Sequence, residues 1–358
     1  MKARAADLLA CPRCLVPGLN CRAHGSEGDE ILEGELSCGR CGDRFAIRNG
    51  VPRILPDAAV EHDQQRTVDR FGRQWNDFDF LTHYYEQQFL GWIGPNRPED
   101  FKDKIVLEGG CGKGRHSSLV SSWGAKDVIA VDLGSAVDTA FRNCRHLPNV
   151  HVVQADLFRL PVAPKSVDIA FSVGVLHHTP RPKEAFLELV ARVKTGGRMI
   201  AWVYGRENNE WIVQLVDPIR KNVTSRLPHR VVYEASKVPA ALLWAVSKGV
   251  YKPLRGAAVG QRLFYQAYVN VIAEFPFDEV HSIVHDHLTP PIAHYIERSE
   301  FEDWFREAGL VDVHMSWHNE NSWRGTGTVA SRPDSEIGID RGSNEASRPR
   351  SEQASDPV

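Results

Sequence analysis

The 358-residue sequence lacks several features that would each assign a protein to a broad class. No apolar run is long enough to cross a bilayer, and the most apolar stretch, 238–246, is short and flanked by Lys237 and Lys248. No signal-peptide pattern is present, so we expect a cytoplasmic protein without a membrane span. The formal net charge of −3 provides no overall basic field for nucleic acid, which leaves RNA binding to a local patch.

The most informative motif is an apolar run that closes on an acid and continues into alternating glycines. Residues 104–108 read as a buried strand and 115–122 as a helix, joined by a tight loop that contains Gly110, Gly112 and Gly114. The motif lacks the Gly-x-Gly-x-x-Gly spacing of dinucleotide-binding proteins, because Arg115 stands where the third glycine would fall. A nucleotide without a pyrophosphate therefore fits this loop better than NAD does.

Two acids follow the next two predicted strands at the point where each strand ends. Asp132 closes the strand 127–132, 18 residues beyond Gly114, which is the distance at which a carboxylate meets a ribose diol. Asp156 closes the run 149–156, where it can accept a hydrogen bond from an adenine amino group. The glycine loop together with both acids predicts an adenosine-binding site.

Strand and helix patterns alternate through the middle of the chain, which predicts a doubly wound α/β fold with a parallel sheet. The helices are expected at 115–122, 135–144, 182–194 and, opened by a capping box at Ser299 and Glu302, from 299 to about 309. A mostly helical insertion interrupts the alternation. Seven strands are expected, at 104–108, 127–132, 149–154, 167–172, 198–204, 310–317 and 325–330.

Two Cys-x-x-Cys pairs lie near the N-terminus, separated by 23 residues. Two such turns supply the four thiolates of a tetrahedral zinc site: Cys11, Cys14, Cys38 and Cys41. So short a segment buries little core, so a structural Zn²⁺ would contribute to its folding. The alternative is two redox pairs or disulfides, which a reducing compartment disfavours. Cys21 lies outside both pairs.

The core motifs resemble the class I S-adenosylmethionine-dependent methyltransferases, especially the group that contains the quinone-biosynthesis C-methyltransferases. The resemblance covers roughly 66–205, with a weaker return at 297–330, and lies in the segments 106–114, 155–156, 168–178 and 196–200. It implies a seven-stranded Rossmann-like sheet, S-adenosylmethionine as cofactor and a set of cofactor-binding residues. These residues are Glu108, Gly110, Gly112, Gly114, Asp132, Asp156 and Leu157. Glu108 replaces the commoner Asp, and Lys113 stands where a small hydroxyl residue is usual.

The run 45–56 resembles the zinc-ribbon proteins that activate tRNA methyltransferases, here fused to a catalytic core. The chain is accordingly expected to divide into five parts. They are a zinc ribbon (1–56), a linker and helical lid (57–103), the cofactor-binding core (104–205 and 297–330), a helical acceptor cap (206–296) and a disordered tail (331–358).

The acceptor side is predicted at the carboxyl edge of the sheet, where ligands bind in open parallel sheets. His177 and His178 follow the fourth strand, and either could act as a base. The end of the insertion adds Asp286 and His294 as candidate catalytic residues, while Trp75, Tyr84 and Tyr85 would wall the pocket. Packing beneath the loop and plain loop polarity are the alternatives. A metal site is disfavoured, because consecutive His-Asp-His residues would not converge on one ion.

Three functions compete. The first is methyl transfer to an O, C or N atom of a small or medium-sized metabolite. The second is RNA methylation, favoured by the ribbon and its arginines but not by Ser-Val-Gly-Val at 172–175, where an Asn/Asp-Pro-Pro-Tyr motif would be expected. The third is a non-catalytic cofactor-binding partner subunit, which the intact glycines and acids disfavour.

Overall fold

A computed structural model describes residues 1–55, 61–78 and 84–331 of the chain. The N-terminal ribbon (residues 1–54) is a short helix followed by four strands, each pairing antiparallel with the next. The tail expected to be disordered lies outside the described residues, apart from Ser331. The ribbon elements are α1 (Ala5–Leu8), β1 (Asn20–Glu27), β2 (Glu30–Ser37), β3 (Arg44–Arg48) and β4 (Val51–Ile54).

Two helices precede the core, α2 (His62–Asp77) and α3 (Tyr84–Ile93). Helix α2 begins at His62, near the start of the segment expected to form a linker and helical lid. The polar residues there carry no apolar periodicity, and they are held by other contacts. The Gln65 amide donates to Asp69 Oδ1 one turn later at 2.8 Å, and Arg66 donates to the carbonyl of Ser225 at 2.5 Å.

The core alternates strand and helix as predicted, with one wrong boundary. Helix α6 ends at Val190 rather than at 194, because Val193 already pairs with Val167 as the start of a strand. Val193 has the spacing of a buried helix residue, but it is buried in the sheet. The elements are β5 (Ile105–Gly109), α4 (Arg115–Ser122), β6 (Asp127–Asp132), α5 (Ala136–Cys144), β7 (Val150–Ala155), β8 (Val167–Val173), α6 (Pro182–Val190) and β9 (Val193–Tyr204).

The insertion after β9 is mostly helical, and the chain then returns to the sheet. The predicted capping box is wrong, because α12 begins at Arg298, whose amide is bonded to Glu207 Oε1 at 2.8 Å. None of the described helices combines the length and apolarity that crossing a bilayer requires. The elements are α7 (Asp217–Asn222), α8 (His229–Val246), α9 (Lys252–Leu254), α10 (Gln266–Ile272), α11 (Phe277–Leu288), α12 (Arg298–Glu307), β10 (Leu310–His318) and β11 (Ser322–Val329).

The predicted doubly wound α/β sheet is confirmed, and it is larger than expected. Seven core strands lie in the order β7-β6-β5-β8-β9-β11-β10, parallel except for β11, which pairs antiparallel with both neighbours. Strand β4 adds parallel to β7, with Ile54 opposite Ala155, so the ribbon extends the sheet to eleven strands. The strand order reverses between β5 and β8, because the chain adds β6 and β7 on one side of β5 and then returns to add β8 on the other. Open sheets of this kind bind ligands at this point.

Candidate active site

A cavity of about 640 Å³ opens at the carboxyl ends of β5 and β8. The glycine loop and the ends of β6 and β7 form one wall. Helices α2 and α3 form a second wall, and α10 and α11 of the insertion form a third. The segments predicted to reach this edge of the sheet therefore enclose one space.

The glycine loop approaches the cavity with its backbone. Gly110 has a φ of +84°, and a Cβ there would lie 2.3 Å from the Val175 side chain, so the close approach requires glycine. Gly112 also has a positive φ and lines the cavity. Gly114 is not part of the lining. It begins α4, where a Cβ would lie 2.9 Å from Cys144 Sγ, so this glycine sets the packing of the helix.

Glu108 lies beneath the loop and outside the cavity lining. Its buried carboxyl group accepts a hydrogen bond from Ser117 Oγ. The same group pairs with His116 Nδ1 at 3.1 Å. Burial raises the pKa of Glu108 to about 8. The position predicted to bind cofactor therefore connects β5 to α4 and holds the loop in place.

The two strand-terminal acids both face the cavity. Asp132 accepts the amide of Gly112 at 2.9 Å and that of Gly134 at 2.8 Å, which fixes the carboxylate at the wall. Asp156 accepts the amide of Phe158 at 3.0 Å, and Leu157 lies beside it in the lining. Burial raises the pKa of both acids. Each carboxylate oxygen keeps a second lone pair for a ligand hydroxyl or amino group.

A second polar group lies on the opposite wall. Tyr204 Oη donates to Asp286 Oδ2 at 2.8 Å, and Gln74 Nε2 lies 3.4 Å from the other oxygen. The ring of His287 stacks on Tyr204 with centroids 5.4 Å apart. Burial raises the pKa of Asp286. A desolvated carboxylate with one firm hydrogen bond is a group that can accept a proton.

Only one histidine of the predicted pair reaches the cavity. His178 Nδ1 donates to the carbonyl of Ile292 at 2.8 Å, so Nε2 carries the lone pair. Burial lowers the pKa of His178 to about 3. His177 is fully buried behind Tyr204, with ring centroids 4.0 Å apart, and its Nδ1 accepts the Tyr204 amide at 3.4 Å. The prediction that His177 lines the pocket is wrong.

Two further predicted wall residues lie elsewhere. His294 has an exposed side chain outside the lining, while its backbone amide donates to the carbonyl of His177 at 2.8 Å. Tyr85 is buried behind the wall, where its hydroxyl donates to Glu279 at 2.9 Å. Trp75 and Tyr84 do line the cavity. Chain proximity alone could not separate these positions, because the turn after α11 directs some side chains outward.

Residues 107–201 match a family model described as a methyltransferase domain. The match covers 95 of the 358 residues of the chain. The match supports the S-adenosylmethionine-dependent methyltransferase class that the motifs predict, whereas the quinone-biosynthesis grouping stays a prediction.

Relatives cover different parts of the chain. A segment is 31% identical over 103 residues to a tRNA U34 carboxymethyltransferase of Cellvibrio japonicus, which covers 28% of this chain and 32% of that protein. A malonyl-acyl-carrier-protein O-methyltransferase of a Marinomonas species is 26% identical, over 53% of this chain and 82% of that protein. The chain spans about a third of the length of the carboxymethyltransferase.

Among solved structures, the complex between the Haloferax volcanii Trm112 methyltransferase activator and a methyltransferase is similar to this chain. The match is 14% identical, covers 76% of this chain and all of that chain, and has a TM-score of 0.41.

Sequence reasoning missed two cations that line the cavity. The Arg115 guanidinium lies 5.0–5.5 Å from the ring centroids of Trp75, Tyr85 and Trp92. Lys113 Nζ is buried and donates to the carbonyl of Phe78 at 2.6 Å and to Tyr85 Oη at 3.0 Å. The available signal was the pair of basic residues inside a glycine motif, where a small residue is usual.

The four predicted zinc ligands come together in the ribbon. Their sulfur atoms all lie within 4.8 Å of one another, with Cys11 close to Cys41 at 3.5 Å and Cys14 close to Cys38 at 3.4 Å. Backbone amides, first that of Cys41, lower the pKa of Cys38 to about 6 and so favour its thiolate. The contacts cross between the two turns, as one tetrahedral Zn²⁺ site requires. Cys21, Cys111 and Cys144 lie outside this cluster.

Proposed function

We propose that this chain is an S-adenosylmethionine-dependent methyltransferase that acts on an O, C or N atom of a small or medium-sized metabolite. The observation that carries the proposal is the shared cavity. It joins the glycine loop, Asp132 and Asp156 on one side to Tyr204 and Asp286 on the other. Cofactor and acceptor would then meet in one enclosure, with the insertion (206–296) as the acceptor cap.

The cofactor side follows from the charges of the wall. When bound, S-adenosylmethionine supplies a methyl group on a sulfonium whose thioether is a neutral leaving group. Asp132 would hold the ribose hydroxyls, and Asp156 the adenine amino group. Arg115 would pair with the carboxylate of the methionine moiety, since a guanidinium binds a carboxylate through two parallel hydrogen bonds. Holding the reactants in line can lower the barrier by several kcal/mol, up to about 7–11 in ideal cases.

On the acceptor side, Asp286 is the candidate base. Burial raises its pKa, so its carboxylate attracts a proton more strongly than an exposed Asp does. His178 is a weaker base, because burial lowers its pKa to about 3, and its Nε2 would serve as a neutral hydrogen-bond acceptor that orients the substrate. His177 and His294 lie outside the cavity and have no part in this proposal.

The test compares Asp286→Asn with Asp278→Asn, a matched control in which an exposed Asp of the same helix is changed. Acceptors would be screened with cofactor carrying a labelled methyl group. We expect Asp286→Asn to lower turnover roughly 10²–10⁴-fold while calorimetry finds S-adenosylmethionine affinity near wild type. Gly112→Val should abolish cofactor binding. Wild-type turnover in Asp286→Asn would contradict the role of Asp286, and failure of the wild type to bind the cofactor would contradict the function itself.

We also propose that Cys11, Cys14, Cys38 and Cys41 hold one structural Zn²⁺. The donor set supports this, because four thiolates on two tight turns suit zinc and closed structural sites. The cytoplasm, a reducing compartment, is the location that this proposal favours.

An RNA acceptor is the second candidate. It is favoured by the similarity to a tRNA U34 carboxymethyltransferase, although that similarity covers about a third of the relative. Methyl label appearing in bulk tRNA but in no small molecule would favour this candidate. Cofactor binding without transfer to either class would favour a non-catalytic partner subunit.

A further inference from the structure

Helix α8 of the insertion presents an apolar surface to solvent. Every exposed position from 235 to 250 is nonpolar, whereas a surface helix normally places polar residues there. Val238 is 74% exposed and Leu242 67% exposed. We define the apolar face as Ala235, Val238, Pro239, Ala241, Leu242, Ala245, Val246, Gly249 and Val250.

The orientation of α8 is set by its other side. Val232, Ser236 and Ala240 are buried, and Ser236 Oγ lies 2.9 Å from His281 Nε2 of α11. Helix α11 also carries Asp286, so the buried side of α8 supports the cavity wall. The apolar face is therefore a second apolar side that points away from the cavity, and not the core side of the helix.

Basic residues outnumber acidic ones in the segment that carries the apolar face. The segment 215–264 contains nine Lys or Arg residues and only two acidic residues, although the whole chain has a net charge of −3. Lys237 and Lys248 border the face, and the Lys248 ammonium lies 5.6 Å from the Trp244 ring. The Lys248 ammonium also donates to the carbonyl of Ala273 at 2.9 Å, and Lys237 pairs with Glu234 at 2.8 Å. Arg226, Arg230 and Arg262 of the same segment are exposed. The same segment exposes Leu215, Ile219, Val223, Val259 and Phe264.

We propose that the apolar face docks on the surface of an anionic membrane. An exposed apolar helix side bordered by Lys and Arg is the pattern of helices that lie in the membrane interface, and each basic residue near the surface adds attraction to anionic lipid. The described helices do not span a bilayer, so the helix would lie in the plane of the interface.

The charge distribution favours a membrane over a second copy of the chain. A twofold contact through the apolar face would bring the same basic residues of both copies together, and like charges repel. Residues 332–358 contain no aromatic residue and few large apolar ones, so that segment does not match the face either.

Docking would hold the insertion, which supplies one wall of the cavity, at the lipid surface. Arg255, Tyr268 and Val271 of the insertion line the cavity. A lipophilic acceptor that partitions into membranes is the substrate class that follows, and this corollary rests on the proposed methyl transfer. The docking proposal does not rest on methyl transfer, so docking and methyl transfer can each be disproved without the other.

The experiment measures co-sedimentation of the full-length chain with vesicles of phosphatidylcholine alone or with about 30% phosphatidylglycerol. The test variant is Val238→Glu/Leu242→Glu. The matched control is Val311→Glu/Val313→Glu on β10, where the valines are 45% and 43% exposed. We expect the wild type and the control to bind anionic vesicles, and the test variant to lose at least roughly tenfold in binding. Added salt should weaken binding.

Each variant would first be checked for unchanged circular dichroism and S-adenosylmethionine affinity, since both sites lie away from the cavity. Several results would overturn the proposal. The wild type would fail to bind anionic vesicles at all, or the control would lose as much vesicle binding as the test variant. Ultracentrifugation would instead show a concentration-dependent dimer that only the test variant abolishes, or the wild type would bind RNA and not vesicles.

Discussion

At the scale of single residues, burial decides the protonation state of the groups around the cavity. Glu108 is buried beneath the glycine loop with a raised pKa, while burial lowers the pKa of His178 to about 3 and that of His287 to about 4. The acids near the cavity hold protons more strongly than exposed acids, and the histidines less strongly than exposed histidines. Neutral histidines and a proton-accepting Asp286 are the consequence at neutral pH.

Glu108 should make the stability of the fold depend on pH. Its pKa is near 4.5 in the unfolded chain and about 8 in the folded chain, so the folded state binds the extra proton between these values. The stability contributed by this group is fully present below pH 4.5 and is lost as pH rises through 8. We expect Glu108→Gln to remove this dependence, which amounts to roughly 2–5 kcal/mol.

Urea unfolding at several pH values between about 5 and 8 measures this effect, with Glu302→Gln, whose side chain is 44% exposed, as the control. Parallel profiles in the wild type and Glu108→Gln would show that Glu108 does not titrate in this range.

Arg115 is expected to recognise the carboxylate of the cofactor. Arg115→Gln should weaken S-adenosylmethionine binding roughly 10–100-fold, the value of a hydrogen bond to a charged group. It should leave 5′-methylthioadenosine binding unchanged, because that molecule has no carboxylate. Calorimetry with both ligands makes the comparison, and exposed Arg142→Gln is the control. Equal losses for both ligands would instead indicate a general distortion of the loop.

At the scale of elements, helix α2 is fastened to the insertion by arginines. Arg70 donates to the carbonyls of Ser225 and Leu227 at 2.9 and 2.6 Å, and Arg66 also reaches Ser225. Helix α2 contributes Gln74 and Trp75 to the cavity. Two walls of the cavity are therefore joined to each other as well as to the sheet.

Removing this connection should loosen both walls together. We expect Arg70→Ala to destabilise the chain by about 1–3 kcal/mol, because two carbonyls lose a charged donor. Hydrogen exchange should rise in 62–78 and in 223–227 alike. Arg73→Ala, an exposed change on the same helix, is the control. Faster exchange in only one of the two segments would show that the arginines do not couple them.

At the scale of the whole molecule, the ribbon is part of the central sheet. Strand β4 pairs with β7, and Asp156 follows β7 at the cavity. The four-cysteine cluster and the Asp156 side of the cavity are thus linked through two adjacent strands. Loss of the ribbon would leave the edge of β7 unpaired.

Zinc removal should therefore affect more than the ribbon. We expect about one zinc per chain by elemental analysis, and its chelation should unfold the ribbon, lower Tm and weaken S-adenosylmethionine binding. Cys38→Ser should reproduce these effects, whereas Cys21→Ser, outside the cluster, should not. A metal-free chain with a folded ribbon and unchanged cofactor affinity would contradict both the zinc site and its coupling to the cavity.

The cofactor side was the most predictable part of the site. The glycine loop, Asp132 and Asp156 lie within about 50 residues of one another, and each follows a strand whose apolar pattern is local. Their position needs only the rule that parallel strands end at one edge. The acceptor side joins Gln74 to Asp286 across 212 residues, so its geometry depends on how the insertion packs.

The sequence by itself determined the α/β order, the two Cys-x-x-Cys turns and the glycine loop with its two strand-terminal acids, because periodicity, glycine and strand ends act over a few residues. Only the tertiary structure decided that β4 joins β7, that His178 rather than His177 faces the cavity, and that Glu108 supports the loop from below. Each of these outcomes depends on which groups compete for one buried space. A local sequence pattern cannot show which of these side chains is buried, because their burial and partners are set by segments far away in the chain.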